Sequence, residues 1–248
     1  MSLVERLPKV IRPPARLARD VLQYPFKKLG KCLARCRFKY RESALATNFI
    51  CSFLEDQNFE AAYQKAVRAT GLDPNIRFRV HQAIWAASVA RNLEGDFLEL
   101  GTGRGFIMLS VLESLDWWNS SDKNMYLVDL FSPSETYPTY AESFEATRAS
   151  FSKFTRVNLV KGRVPDCLGE LPDKSLFSFI HIDLNAAEPE YEAMIALWPR
   201  LCRGGIILLD DYAFPNRRDQ HEAANKAMRL LGQKILTLAG GQGVIVKS

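Results

Sequence analysis

Residues 95–105 read GDFLELGTGRG, and FIMLSVLESL follows from Phe106 to Leu115. The first run is apolar through Leu100 and too short for a helix, whereas the second is long enough for one, so the glycines at 101, 103 and 105 stand at a strand-to-helix turn. Glycine suits that place because it takes positive φ without a Cβ penalty and lets a ligand come close to the backbone, while the helix N-terminus beyond it favours negative charge. The turn is therefore the opening of a βα unit.

Four further runs extend the pattern: MYLVDLF at 125–131, VNLV at 157–160, FSFIHIDL at 177–184 and IILLDDY at 206–212. Each is apolar on both alternating faces, as strands are when helices cover both sides, and helical stretches separate them, which implies a parallel sheet. Right-handed crossovers then give a doubly wound arrangement. The tail KILTLAGGQGVIVKS, from Lys234 to Ser248, reads as two strands joined through glycines. The expectation is a Rossmann-like α/β fold, a mostly parallel seven-stranded sheet with an antiparallel C-terminal strand, preceded by an N-terminal helical extension.

Two helices lead in. Residues 43–71 read as one, stopped by Gly71 before Pro74, and 76–92 as the next. The domain expected is 49–248, with a helical lead-in over 49–92 and a sheet core over 95–248. Residues 1–48 form a separate arm, cut short by Pro8, Pro13, Pro14 and Pro25. Its first 41 residues carry twelve Lys or Arg against Glu5 and Asp20, so the chain's net charge of +5 conceals +10 in the arm and −5 elsewhere. Leu17, Val21 and Tyr24, then Leu29, Leu33, Cys36 and Tyr40, repeat at helical spacing among the basic residues. Such an arm suits an anionic membrane surface, or packing on its own domain or on a second subunit of a homo-oligomer. No nucleic-acid module accompanies the charge.

No run approaches the roughly 20 apolar residues of a membrane span, and no apolar signal region opens the chain, so the expected location is cytoplasmic, with peripheral contact at the inner face of a membrane through residues 1–41. The five cysteines, Cys32, Cys36, Cys51, Cys167 and Cys202, lack the paired spacing of a zinc site or disulfide framework. They read as reduced thiols.

Chemistry gathers at the C-terminal ends of the strands, where open α/β sheets bind ligands. Phe106 occupies the place of the third glycine in a G-x-G-x-x-G fingerprint, which disfavours a dinucleotide. Glu99 stands two residues before the first glycine. Asp129 ends the second strand of the sheet, where a carboxylate can accept ribose hydroxyls; it also reads as a cap or loop acid. Asp183 closes the fourth, and Asp210 with Asp211 the fifth. Neighbouring carboxylates repel by roughly 4 kcal/mol at 4 Å and an effective dielectric of 20, so a hard cation such as Mg²⁺ would relieve the cluster; two unrelated strand-end acids and a cap are the plainer alternative. His181 reads as a core histidine, and His81 and His221 lie apart from the cluster.

The succession GDFLELGTGRG, MYLVDLF, NLVKGRVPDCL and IHIDLNAAEPEYEAMIALWPRLCRGGIILLDDYAF resembles the macrocin O-methyltransferase (TylF-like) family of sugar methyltransferases, over about residues 77–248. The resemblance implies a class I enzyme that uses S-adenosyl-L-methionine, with Glu99, Gly101, Gly103, Gly105 and Asp129 binding that cofactor. It also implies Mg²⁺ held by Asp183, Asp210 and Asp211, Asp183 as catalytic base, and a small-molecule or glycan substrate methylated on a hydroxyl. The family's D-x-D-x-Y-E-S-T run is replaced here by His181, Asp183 and the residues NAAEPEYEAM, so its sugar contacts do not carry over. A small aromatic or lipid acceptor is an alternative, as is a non-catalytic membrane-associated protein that keeps the fold.

Overall fold

A computed structural model describes residues 39–117, 122–133, 142–173 and 175–248. The basic amphipathic segments and Cys32 and Cys36 lie outside the described residues. The chain divides into two compact units, residues 42–45 with 50–248 forming the larger and residues 1–41 with 46–49 the smaller. A two-stranded sheet pairs Tyr40–Glu42 (β1) with Leu45–Thr47 (β2).

The first lead-in helix is half its expected length. It runs over Gln57–Thr70 (α1), and residues 43–56 instead hold β2, a turn at Ser43 (φ 43°) and a 3₁₀ turn at Ser52–Leu54. Short polar side chains account for the difference. Thr47 Oγ1 accepts the N–H of Phe49 at 3.0 Å, and the Asp56 carboxylate accepts the N–H groups of Asn58 (2.8 Å) and Phe59 (3.3 Å), so the helix begins only after Asp56. Gly71 ends it in the left-handed region, as expected.

The second helix, Arg77–Ala90 (α2), has no cap of its own at Ile76. Glu42 supplies one from a distance, its carboxylate accepting the N–H of Phe78 at 2.7 Å and of Arg79 at 3.4 Å. This satisfies two donors left open in the first turn and places a negative charge at the positive end of the helix dipole.

The sheet core follows the expected order of elements. It comprises Asp96–Leu100 (β3), Phe106–Ser114 (α3), Met125–Asp129 (β4), Phe144–Ser150 (α4), Val157–Lys161 (β5), Phe177–Ile182 (β6), Ala187–Leu197 (α5), Leu201–Leu209 (β7), Arg218–Leu230 (α6), Leu236–Thr237 (β8) and Gly243–Val246 (β9). The strands lie in the order β5-β4-β3-β6-β7-β9-β8. The first five are parallel, and β9 runs antiparallel to both β7 and β8. From β3 the chain winds outward through β4 and β5, then returns to the other side of β3 through β6 and β7. The reversal leaves a crevice beyond the ends of β3 and β6, the usual ligand position in such sheets.

Alternation along the strands builds two cores. Phe97, Leu127, Phe179, Ile206 and Leu208 face α1, α2 and α3 on one side, while Leu98, Val128, Ile180, Ile207 and Leu209 face α5 and α6 on the other. Each buried side chain of this size contributes about 1.5–3 kcal/mol. The same alternation gives Glu99 and His181, which are partners in register, the parity of the first face. No helix among the described residues is long and apolar enough to cross a membrane. Among the described residues Cys167 and Cys202 are free thiols.

Candidate functional site

The glycine bend between β3 and α3 is shaped by its surroundings. Gly101, Gly103 and Gly105 all have positive φ, at 87°, 53° and 80°. A Cβ on Gly101 would stand 1.9 Å from the carbonyl oxygen of Asp183, and one on Gly105 would meet the Phe151 ring at 2.3 Å. The first contact sets the main chain of Asp183 directly against the bend. Asp129 clamps the bend from β4: its Oδ2 accepts the N–H of Gly103 at 2.7 Å, and its Oδ1 the N–H of Phe131 at 3.1 Å. From α4, the Thr147 hydroxyl donates to the Gly103 carbonyl at 2.9 Å.

The three glycines and Asp129 meet at one bend, and Glu99, 2 % exposed, has one carboxylate oxygen on His181. His181 Nδ1 donates to Glu99 Oε1 at 2.9 Å, and its Nε2 lies 3.6 Å from Asp210 Oδ1. Burial alone would depress the imidazole pKa, but the hydrogen bonds and charges of Asp210 and Glu99 outweigh it and hold the value up at about 10. The ring is buried between two acids. The core placement expected of His181 is found, with carboxylates where backbone partners are more usual.

The strand-end acids do gather. Asp183 and Asp210 sense one another's charge: burial, then the Asp210 charge, raises the Asp183 pKa well above the ordinary carboxylate range. Burial also presses the Asp210 pKa upward, but His181, Arg79 and Gln242 overcome it and hold that carboxylate ionised. In Asp211, burial and the neighbouring Asp210 raise the pKa, and Arg79 offsets part of the rise. Asn185 Nδ2 donates to Asp183 Oδ1 at 3.0 Å.

A cleft of about 250 Å³ opens nearby, lined among others by Glu42, Leu45, Phe214, Pro215, Leu238 and Gly241. The Phe214 ring lies 4.4 Å from the Arg79 guanidinium, which joins this cleft to the acid cluster.

Residues 98–212, from the middle of β3 to just past the Asp210-Asp211 pair, match the family described as a methyltransferase domain. Over these residues the chain is similar to that family. A search of curated proteins finds no match. Among solved structures, the O-methyltransferase NovP is 17% identical over 79% of this chain and 99% of its own, with a TM-score of 0.63. CalS11, a TDP-rhamnose 3'-O-methyltransferase of calicheamicin biosynthesis, is 18% identical over 77% and 95%, with a TM-score of 0.55. An O-methyltransferase from Bacillus cereus in complex with SAH is 15% identical over 77% and 91%, with a TM-score of 0.53. Identities this low establish a shared fold, the Rossmann-like methyltransferase scaffold.

Within this scaffold the bend fits a nucleoside. Gly103 is partly exposed, so a ligand can approach its backbone without meeting a side chain, and the Asp129 carboxylate stands beside it. The acid cluster does not fit a divalent cation in the same way. Among the described residues no three His, Cys, Asp or Glu side chains are arranged to hold a metal. Arg79 instead bridges the acid pair, Nη1 donating to Asp210 Oδ2 and Nη2 to Asp211 Oδ1 at 2.8 Å. Sequence reasoning missed Arg79. It stands in an ordinary helix, RFRVHQAIWAASVA, where nothing local distinguishes it from a solvated arginine. His81 and His221 lie elsewhere, the first stacked on Phe53 at 4.1 Å and the second against the Tyr212 carbonyl at 3.0 Å.

Proposed function

We propose that this chain transfers a methyl group from S-adenosyl-L-methionine to a hydroxyl of a sugar or glycan precursor, with Asp183 as the base. The observation that carries the reading is the contact of Gly101 with the Asp183 carbonyl, which makes the bend suited to a nucleoside contiguous with an acid of raised pKa. The cofactor's sulfonium would supply an electrophilic methyl group. Gly101, Gly103 and Gly105 would let its amino-acid portion lie against the backbone, and Asp129 would take the ribose.

The chain's remaining task is to hold one acceptor oxygen in line and remove its proton. Orientation of this kind lowers a barrier by several kcal/mol. Asp183 stands at the junction of bend and cluster, held by Asn185, and a raised pKa makes its carboxylate a stronger base than an exposed aspartate. The adjoining cleft, walled by Phe214 and Pro215, offers the acceptor a seat. A sugar is favoured over an aromatic acceptor by the resemblance to macrocin O-methyltransferases.

Calorimetry with S-adenosylhomocysteine tests the cofactor, and absence of heat at millimolar ligand would remove it. A mass-spectrometric screen of nucleotide-linked deoxysugars for the gain of one methyl group tests the acceptor. Once a substrate is in hand, Asp183→Asn should lower kcat by at least about 100-fold with the S-adenosylhomocysteine affinity unchanged. A variant of full activity would dismiss Asp183 as the base.

A further inference from the structure

The contacts of the acid pair account for each of its four carboxylate oxygens. Asp210 Oδ2 takes Arg79 Nη1, and Asp210 Oδ1 takes Gln242 Nε2 at 2.7 Å with His181 beyond. Asp211 Oδ1 takes Arg79 Nη2 at 2.8 Å, and Asp211 Oδ2 faces Arg217 Nε at 3.4 Å. Arg217 also donates to Asn185 Oδ1, and Asn185 to Asp183, so the network closes on the proposed base.

Arg79 is held in this position from several sides. Its guanidinium lies over Phe214 at 4.4 Å, its side chain is 12% exposed, and its own N–H is capped by Glu42 at 3.4 Å. A guanidinium presents planar paired donors that match carboxylate oxygens, so one arginine can span two acids where a lysine would meet only one.

We propose that Arg79 is the resident cation of this site, occupying the charge position that a divalent metal would otherwise take, so that methyl transfer here is independent of metal. The inference rests on the reading of the domain as a methyltransferase with Asp183 as base; it concerns what neutralises the acids around that base. A Mg²⁺ ion needs about six oxygen ligands at roughly 2.1 Å, and every oxygen of the pair already faces a donor of the chain that such an ion would have to displace or crowd. A dication some 4 Å from the guanidinium would be repelled by roughly 8 kcal/mol at an effective dielectric of 20. Metal entry therefore requires Arg79 to leave Phe214 and both acids. Arg79, Arg217 and His181 stand against Glu99, Asp183, Asp210 and Asp211, so groups of the chain itself offset most of the cluster's charge. Arg79 acts through the acids as a positioning residue, keeping Asp210 and Asp211 in fixed orientation beside Asp183.

The test is Mn²⁺ binding to the full chain, followed by electron paramagnetic resonance. The wild-type protein should bind Mn²⁺ no more tightly than its Asp210→Asn variant. Arg79→Ala, and Arg79→Gln, which keeps most of the bulk, should each gain at least about tenfold in affinity, or about 1.4 kcal/mol. Retained S-adenosylhomocysteine binding identifies a variant that has folded. One tightly bound Mn²⁺ per wild-type chain, lost in Asp210→Asn, would overturn the proposal, and so would folded Arg79 variants with no gain. Where methyl transfer can be followed, excess chelator should leave its rate unchanged. Because the metal titration needs no substrate, it stands whether or not the sugar acceptor is correct.

Discussion

The glycine bend and the acid cluster share one edge of the sheet, yet they are built differently. Most contacts of the bend run from backbone to backbone, Gly101 N–H to Val128 at 2.8 Å and Gly105 N–H to Thr102 at 2.7 Å, and its shape follows from where side chains are missing. The acid cluster depends on side chains brought from far along the chain, Arg79 reaching Asp211 across 132 positions. A backbone site of this kind leaves a readable pattern of glycines, while a side-chain site is legible only once the helices are placed.

The largest effect expected of any single change falls on the bend. In Gly101→Ala the new methyl meets the Asp183 carbonyl at 1.9 Å while φ stays positive, so strand ends must part. Left-handed strain and overpacking together cost about 3–5 kcal/mol. Gly232, with φ 68° and nothing within 4 Å, is the control, and Gly232→Ala should cost only about 1–2 kcal/mol. Urea unfolding of both variants decides the matter; equal losses would mean that the Asp183 contact does not shape the bend.

That contrast also explains what could be read in advance. The five parallel strands and the antiparallel tail were legible because the run lengths and the double-sided apolar pattern of MYLVDLF or IILLDDY admit few other structures. Gly101 was legible as a turn, and Asp183 with Asp210 as acids on one edge, since topology alone brings strand ends together. The partners of those acids were not. The pairing of Glu99 with His181 showed only in the register of the two neighbouring strands, which the motif does not reveal. Arg79 offered no sign, because a helix position reveals its partner only through the packing angle of the whole helix. Residues 43–56 were misread because apolar content suggested a helix while the local hydrogen bonds of Thr47 and Asp56 directed the backbone elsewhere.

A smaller effect would sharpen the account of the acid cluster. Glu190, on α5, is buried, and burial, with the charges of Asp211 and Asp210 adding to it, raises its pKa to about 7 despite a hydrogen bond from Gln220 at 2.6 Å. The folded protein therefore holds this proton more tightly than the unfolded chain. Its stabilising contribution is complete below the ordinary glutamate value of 4.5 and is lost as pH rises through 7. The loss amounts to at most about 3 kcal/mol between pH 4.5 and 8. Glu190→Gln keeps an acceptor for Gln220 and removes the titration, so its stability relative to wild type should improve from pH 5 to pH 8. Parallel slopes for the two proteins in urea unfolding would show that neither burial nor the neighbouring acids lift Glu190.

The smallest effect asks whether the bend is as self-contained as its backbone contacts suggest. Thr147 lies on α4, fully buried, and its hydroxyl is a side-chain tie from a distant helix to the Gly103 carbonyl. Thr147→Val preserves shape and β-branching while deleting that bond, at a cost of about 1 kcal/mol. If the bond orients Gly103 for the cofactor, S-adenosylhomocysteine affinity should fall about two- to fivefold in the valine variant and return in Thr147→Ser, which restores the hydroxyl but not the methyl. A loss of stability with unchanged affinity would assign Thr147 to packing alone and leave Asp129 as the one side chain that sets the bend for its ligand. Equal loss in the serine variant, which keeps the hydroxyl, would show that the bond alone does not set the affinity and that the full threonine shape against the bend is what the site requires.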